Sequence, residues 1–103
     1  MSSFNYLHLE TIRWAEARQI IPNSTPQAQL LKTMEELGEL VGAVVRGNRA
    51  GAIDGFGDVM VTLILASALM DIDLLEALES AYEEIKDRKG TMMPNGVFVK
   101  EQA

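Results

Sequence analysis

The run Val59-Met60-Val61-Thr62-Leu63-Ile64-Leu65-Ala66-Ser67-Ala68-Leu69-Met70 decides the fold class. Wound as a helix it is apolar on every side, and such a helix is stable in water only when neighbours cover it all round. Upstream, Thr25-Pro26 is a start signal, a hydroxyl cap followed by proline at the first helical position, and Gly47-Asn48 is a stop. Between them Leu30, Met34, Leu37, Val41 and Val44 step by four and three, the stripe of an amphipathic helix expected to face the core. The central helix begins between Ala50 and Asp54. Before these two, a first helix starts after the cap Ser3 and reaches about Gln19, with Phe4, Leu7, Thr11 and Ala15 on one side. Ile20-Ile21-Pro22-Asn23 breaks it.

Downstream, Asp73 caps a fourth helix, with Glu76 three residues on as in a capping box. Leu74, Leu75, Leu78, Ala81, Tyr82 and Ile85 form its expected core face. Lys86, Arg88 and Lys89 complement its negative end, and Gly90 closes it. The tail from Thr91 to Ala103, with Pro94 and an Asn95-Gly96 turn, reads as ordered and laid over something, because Val97-Phe98-Val99 is apolar. The expectation is an all-α four-helix bundle with an ordered C-terminal tail, one domain over residues 1–103.

Composition narrows the function. A chain of 103 residues, 48% hydrophobic and 23% charged, is sized and composed as one globular domain. The absence of cysteine excludes a disulfide scaffold, a thiolate zinc site and a thiol nucleophile. The single histidine, His8, argues against paired imidazole ligands and reads as a structural or surface residue. Met1-Ser2-Ser3-Phe4 has neither a basic run nor a long apolar run, so no secretory signal is expected. The longest uncharged apolar run falls short of the about 20 residues that cross a bilayer. A cytoplasmic protein without a membrane partner is expected. Fifteen acids against nine bases, net −6, argue against a nucleic-acid polymer as partner, since phosphate contacts need a basic face. Three amphipathic helices are too few to cover the central one, so a homo-oligomer is expected, at least a dimer.

The acid excess is concentrated in Glu35, Glu36 and Glu39 on the second helix and Asp54 and Asp58 near the start of the third. Positions three and four apart share a helix face, so the glutamates converge, and only Lys32 is in reach to offset them. Their face also carries Ala28, Gly42 and Ala43, small residues that admit a neighbour. Asp54 and Asp58 lie on the stripe of Val61, Leu65 and Leu69, with no base between Arg49 and Lys86. A solvated acidic face for the glutamates, and a helix-capping role for Asp54, are the plain alternatives. Set side by side, the two helices gather about five carboxylates, hard oxygen donors of the kind that select Mg²⁺ or Mn²⁺. Mg²⁺ on a few carboxylates serves phosphate substrates.

With Trp14-Ala15-Glu16 and Arg18, Glu35-Glu36-Leu37-Gly38-Glu39, Gly57-Asp58-Val59, Ile85-Lys86-Asp87-Arg88-Lys89-Gly90 and Asn95-Gly96-Val97-Phe98-Val99-Lys100 in this order, the chain resembles the MazG-like all-α nucleoside triphosphate pyrophosphohydrolases, in particular the short phage and integron-type members. The resemblance covers nearly the whole chain. It implies conversion of (deoxy)nucleoside triphosphates and water to monophosphate and pyrophosphate, a nucleotide-pool house-cleaning role, and Mg²⁺ as cofactor with Mn²⁺ able to substitute. The family's ExxE and ExxD acids bind the metal. Glu36, Glu39 and Asp58 match three of them, while Gly55 stands where the fourth is expected and Asp54, one residue earlier, is the substitute. Glu35 and Glu36 are the catalytic candidates, Glu35 as ligand or water-activating base. Lys32, Arg88, Lys89, Asn95, Lys100 and Trp14 are the substrate-binding candidates, the cations for phosphate, some of them acting across a subunit boundary, and Trp14 for stacking on a base, with a core position as its alternative. Two other readings stand beside the enzyme: a non-catalytic helical interaction module, and a nucleotide-binding sensor without turnover, in which Gly55→Glu would revive hydrolysis.

Overall fold

The computed structural model describes residues 3–102. Met1, Ser2 and Ala103, on which the readings of the amino terminus and of the last tail residue fall, lie outside the described residues. The elements are α1 (Phe4–Ala17), α2 (Ile20–Asn23), α3 (Pro26–Val45), α4 (Arg49–Leu69), α5 (Leu74–Ile85), β1 (Gly90–Met92) and β2 (Phe98–Lys100). The four long helices are those expected. A single extra turn, α2, occupies the predicted break, entered through Gln19 at φ 65°.

Local chemistry sets the ends. The Ser3 side chain accepts from the Tyr6 amide, Thr25 from Ala28, Asn48 from Gly51, and Asp73 from Leu75 and Glu76. Each satisfies an amide that the first helical turn leaves without a partner. At the end of α3, Gly47 adopts φ 68°, its amide donates to Val44 O and that of Asn48 to Ala43 O. This is the Schellman closure, for which glycine is suited. Asn48 then caps α4 at once, so three residues turn α3 back along α4. Asp54 is therefore not a cap; it lies in the second turn of α4.

Helix α4 is the centre, packed by α3 along its length and by α1, α2 and α5 elsewhere. By length and composition it could also cross a membrane, but it carries Asp54 and Asp58 and buries Thr62, Ile64, Leu65 and Ala66 among its neighbours, as a core helix does. The α3–α4 contact is close: a Cβ on Gly55 would lie 3.0 Å from Leu40 Cβ and 3.1 Å from Leu40 Cα.

The faces differ from expectation. In α3 the buried residues are Leu40 and Ala43, with Gln29, Thr33 and Glu36 half-buried in line with them. The stripe expected inside, Leu30, Met34, Leu37, Val41 and Val44, is exposed, Met34 to 69%. Hydrophobic periodicity marks an apolar face without saying which molecule covers it. In α1 the seam is His8 and Ala15, while Phe4 and Leu7 are exposed. Helix α5 keeps only Leu74 and Leu75 half-covered, and every described residue from Glu76 to Gln102 is exposed, Leu78, Tyr82 and Ile85 included. It ends at Ile85, a turn before Gly90, which opens a strand instead. The tail is an antiparallel hairpin, Gly90 opposite Lys100 and Met92 opposite Phe98, because the Phe98 ring and Val99 carbonyl close over Gly90 where no side chain fits. Within the chain it is laid over no helix: Val97, Phe98 and Val99 are about half exposed.

Candidate active site

The half-buried side of α3 carries the acids toward α4. Glu36, whose side chain is 14% exposed, points into the seam, whereas Glu35, at 58%, stays at the rim. Lys32, one turn earlier, lies 3.4 Å from Glu35 Oε1 and 3.6 Å from Glu36 Oε1. Those carboxylates, Glu35 foremost, raise the Lys32 pKa above its usual 10.5. Across the seam, Asp58 is half-buried and Asp54, one turn before it, exposed. Partial burial, followed by the negative charges of Asp54 and Glu36, holds the Asp58 carboxyl above its usual 3.8, and Lys32 pulls the other way.

Glu39, Asp54 and Asp58 line one cavity of about 290 Å³, together with Ala43, Arg46, Asn48 and Gly55. The two acidic helices thus share a pocket, lined by three of the five acids rather than by all of them. It is not free of positive charge, however. Arg46 was not expected there, although Glu39, Ala43 and Arg46 follow at i, i+4 and i+7 on one face. Its guanidinium reaches back along Gly42, whose missing side chain leaves it room. No three of the acids are drawn together closely enough to cage an ion among the described residues. The donor set is all oxygen, with no histidine or thiolate among it, which suits Mg²⁺ or Mn²⁺.

A second feature missed in the sequence sets the register of the helices. Thr33 Oγ1 donates to Thr62 Oγ1 at 2.8 Å, and Thr62 donates to the Val59 carbonyl at 2.8 Å. Thr33 is one turn before Glu36 and Thr62 one turn after Asp58. The signal was a hydroxyl inside an otherwise apolar run.

Further along α4, Val61 and the α1 residues Leu7, Glu10, Thr11 and Trp14 line a groove of about 300 Å³. Trp14 is 44% exposed at its edge rather than in the core, with the Arg18 guanidinium 4.7 Å from its ring centroid. His8 is buried with neither ring nitrogen bonded, away from the acids. Arg88, Lys89 and Lys100 line a different concavity, on the hairpin. Asn95 there accepts from the Val97 amide as a turn residue. None of these four lines the acidic pocket of its own chain.

Comparison with known proteins bears on the family and the fold. The family model of the MazG nucleotide pyrophosphohydrolase domain matches residues 24–93, which include α3, α4 and all five acids. An uncharacterized 18.2 kDa protein from the rep-hol intergenic region of Haemophilus phage HP1 is 38% identical over 61 residues, 59% of this chain. The match spans 37% of that protein's own length. Among solved structures, the MazG-like pyrophosphohydrolase of cyanophage S-2L, bound to dGDP and three catalytic Mn²⁺ ions per active site, superposes with a TM-score of 0.74. That match covers 99% of this chain and 96% of the other, at 22% identity, a likeness of fold.

Proposed function

The chain belongs to the MazG nucleotide pyrophosphohydrolase domain family, and from that premise we propose that it hydrolyses (deoxy)nucleoside triphosphates to monophosphate and pyrophosphate with Mg²⁺, in nucleotide-pool house-cleaning. The observation that carries the reading is the shared pocket of Glu39, Asp54 and Asp58, with Glu36 turned into the same seam. Partial burial, followed by the charges of Asp54 and Glu36, raises the Asp58 pKa, a cost that a divalent cation would relieve. Glu36, Glu39, Asp54 and Asp58 are the residues that would hold Mg²⁺, or Mn²⁺ in its place. Such an ion, when bound, supplies charge stabilisation to the phosphoryl oxygens and makes water more acidic.

The chain's own groups do the rest. Glu35, at the rim and solvated, takes the proton of the attacking water, with Lys32 beside it at 3.4 Å. Arg46 in the pocket and Lys32 at its edge hold phosphate oxygens, a task suited to a planar guanidinium and a point charge. The base stacks on the Trp14 indole in the α1–α4 groove, next to the Arg18 guanidinium. Water adds across the bond between the α- and β-phosphates; the bond to the pyrophosphate oxygen breaks, and pyrophosphate leaves. The cyanophage protein's dGDP and Mn²⁺ support a nucleotide and a divalent ion here.

The test is incubation with each dNTP and NTP and Mg²⁺ or Mn²⁺, with products separated. Monophosphate and pyrophosphate in equal amounts, abolished by Glu36→Gln and Asp58→Asn, is the expected result. Orthophosphate alone, or activity indifferent to both substitutions, refutes it, and nucleotide binding without turnover would indicate a sensor.

A further inference from the structure

We propose that Gly42 is a positioning residue of the acidic pocket: it lodges the Arg46 guanidinium against α3, apart from the carboxylates. The acids then stay open to a divalent cation and the guanidinium to phosphate. The inference rests on the functional reading above and deepens it by naming what keeps the pocket's own opposite charges from cancelling.

The helix supplies the first argument. Gly42 lies inside the 20-residue α3, where glycine is disfavoured because it gives up more backbone freedom than any other residue. What a side chain would meet there accounts for it. A Cβ on Gly42 would lie 3.0 Å from Arg46 Nη1, 3.8 Å from Cζ and 3.9 Å from Nη2, so the three nearest atoms all belong to the guanidinium. At Gly38, the other glycine of α3, nothing lies within 4 Å of the same point. The arm is held at both ends. Its own amide donates to the Gly42 carbonyl at 3.1 Å, and the negative end of α3 attracts the guanidinium.

Charge supplies the second. Arg46 lines the same cavity as Glu39, Asp54 and Asp58, yet among the described residues it makes no ion pair with any of them. A guanidinium beside carboxylates is drawn to grip one by two parallel hydrogen bonds. Such a grip would occupy both the oxygens that a cation needs and the fork that a phosphate needs. Lodged over Gly42, the guanidinium occupies neither. The two cations near the acids therefore differ: Lys32 is engaged by Glu35 and Glu36, whereas Arg46 is placed by room alone. A methyl group at position 42 removes that room. The neighbour that must give is the free end of a flexible side chain, so the helix survives and the guanidinium is turned out among the acids.

The test compares wild type, Gly42→Ala, Arg46→Ala and Gly42→Ala/Arg46→Ala as full chains, by Mn²⁺ titration calorimetry and by thermal melts without metal. Neither measurement needs turnover. Gly42→Ala should raise the metal-free Tm by about 5 °C, through helix propensity. Its Kd for Mn²⁺ should nevertheless rise about tenfold, the strength of a charge-assisted hydrogen bond that the ion must now displace. The double variant should bind Mn²⁺ as tightly as Arg46→Ala, because no guanidinium remains to compete. Equal Mn²⁺ affinity of wild type and Gly42→Ala overturns the proposal, as does a weakening that persists in the double variant. A fall in the Tm of Gly42→Ala also overturns it, since the methyl then meets packed atoms instead of a guanidinium. The functional reading fails separately, through a wild type that binds Mn²⁺ and never cleaves nucleotide, and the comparison of the four chains then still decides the role of Gly42. A wild type that binds no Mn²⁺ overturns both.

Discussion

Gly55 occupies the position where the family pattern carries its fourth acid, and the geometry says why no side chain belongs there. A Cβ would meet Leu40 Cβ at 3.0 Å and Leu40 Cα at 3.1 Å, 0.3–0.4 Å inside the 3.4 Å of ordinary contact. Leu40 Cδ1, also at 3.1 Å, can rotate away, but Cα is part of the α3 frame, so the helices must part. Overpacking of this kind costs about 1–3 kcal/mol. Against it, Gly→Ala inside a helix gains about 1 kcal/mol of propensity. The net expectation for Gly55→Ala is a loss of about 1 kcal/mol, which lowers Tm by roughly 5 °C in a domain of this size. Gly55→Glu adds a carboxylate forced into the same contact and should cost about 3 kcal/mol or more. It also carries Asp54 and Asp58 away from Glu36 and Glu39, so Mn²⁺ binding should weaken rather than improve. Restoring the acid does not revive a lost site; it wedges one open. Thermal melts followed by circular dichroism and Mn²⁺ titration calorimetry decide the matter. A higher Tm for Gly55→Ala, or a stably folded Gly55→Glu protein with tighter Mn²⁺ binding, refutes the reasoning.

Three other outcomes follow from the same coordinates. Because the folded chain raises the Asp58 pKa above 3.8, the stabilising contribution of its proton is present below 3.8 and lost as pH climbs through the raised value. Asp58→Asn should thus raise the Tm of the metal-free protein near neutrality, with the advantage closing as pH falls toward 3.8; a gap independent of pH contradicts this. Thr62→Val removes both hydroxyl bonds of the seam at a cost of about 1 kcal/mol, and a double-mutant cycle with Thr33→Val should show coupling in both melting and Mn²⁺ affinity, where additivity would exclude a shared role. Trp14 is the single tryptophan, so nucleotide should quench the protein's fluorescence, and Trp14→Ala should raise KM about tenfold, in line with base stacking, with kcat little changed; unchanged KM removes the base from that groove.

What could be read in advance was whatever one stretch of chain decides by itself. Ser3, Thr25-Pro26 and Asp73 marked helix starts because a cap acts within four residues, and the pairing of Glu36 with Glu39 and of Asp54 with Asp58 on one helix side each was legible because helical spacing alone sets it. Orientation was not legible. The stripe from Leu30 to Val44 obeys the pattern of a core face, yet within one chain the side bearing Thr33, Glu36, Leu40 and Ala43 is the one against α4. That choice depends on how near two backbones can come, which Gly55 and Ala43 govern and periodicity does not record. Arg46 shares a face of α3 with Glu39 and Ala43, but its approach to the acids depends on the room that Gly42 leaves its guanidinium, which spacing does not record. The hairpin escaped because Gly90-Thr91-Met92 is too short to carry an alternating signature, and its pairing is decided by the fit of Phe98 over Gly90.

The tight return at Gly47 has a kinetic meaning. All the proposed ion ligands fall between Glu36 and Asp58, so the pocket closes through a short loop of low entropic cost, and low contact order makes such helical hairpins fast to form. The crowding of like charges is therefore expected early in folding rather than at its end. Divalent ions that screen those carboxylates should speed the chain's collapse as well as steady its final state, which makes the cation a participant in how this protein is born and not only in what it does.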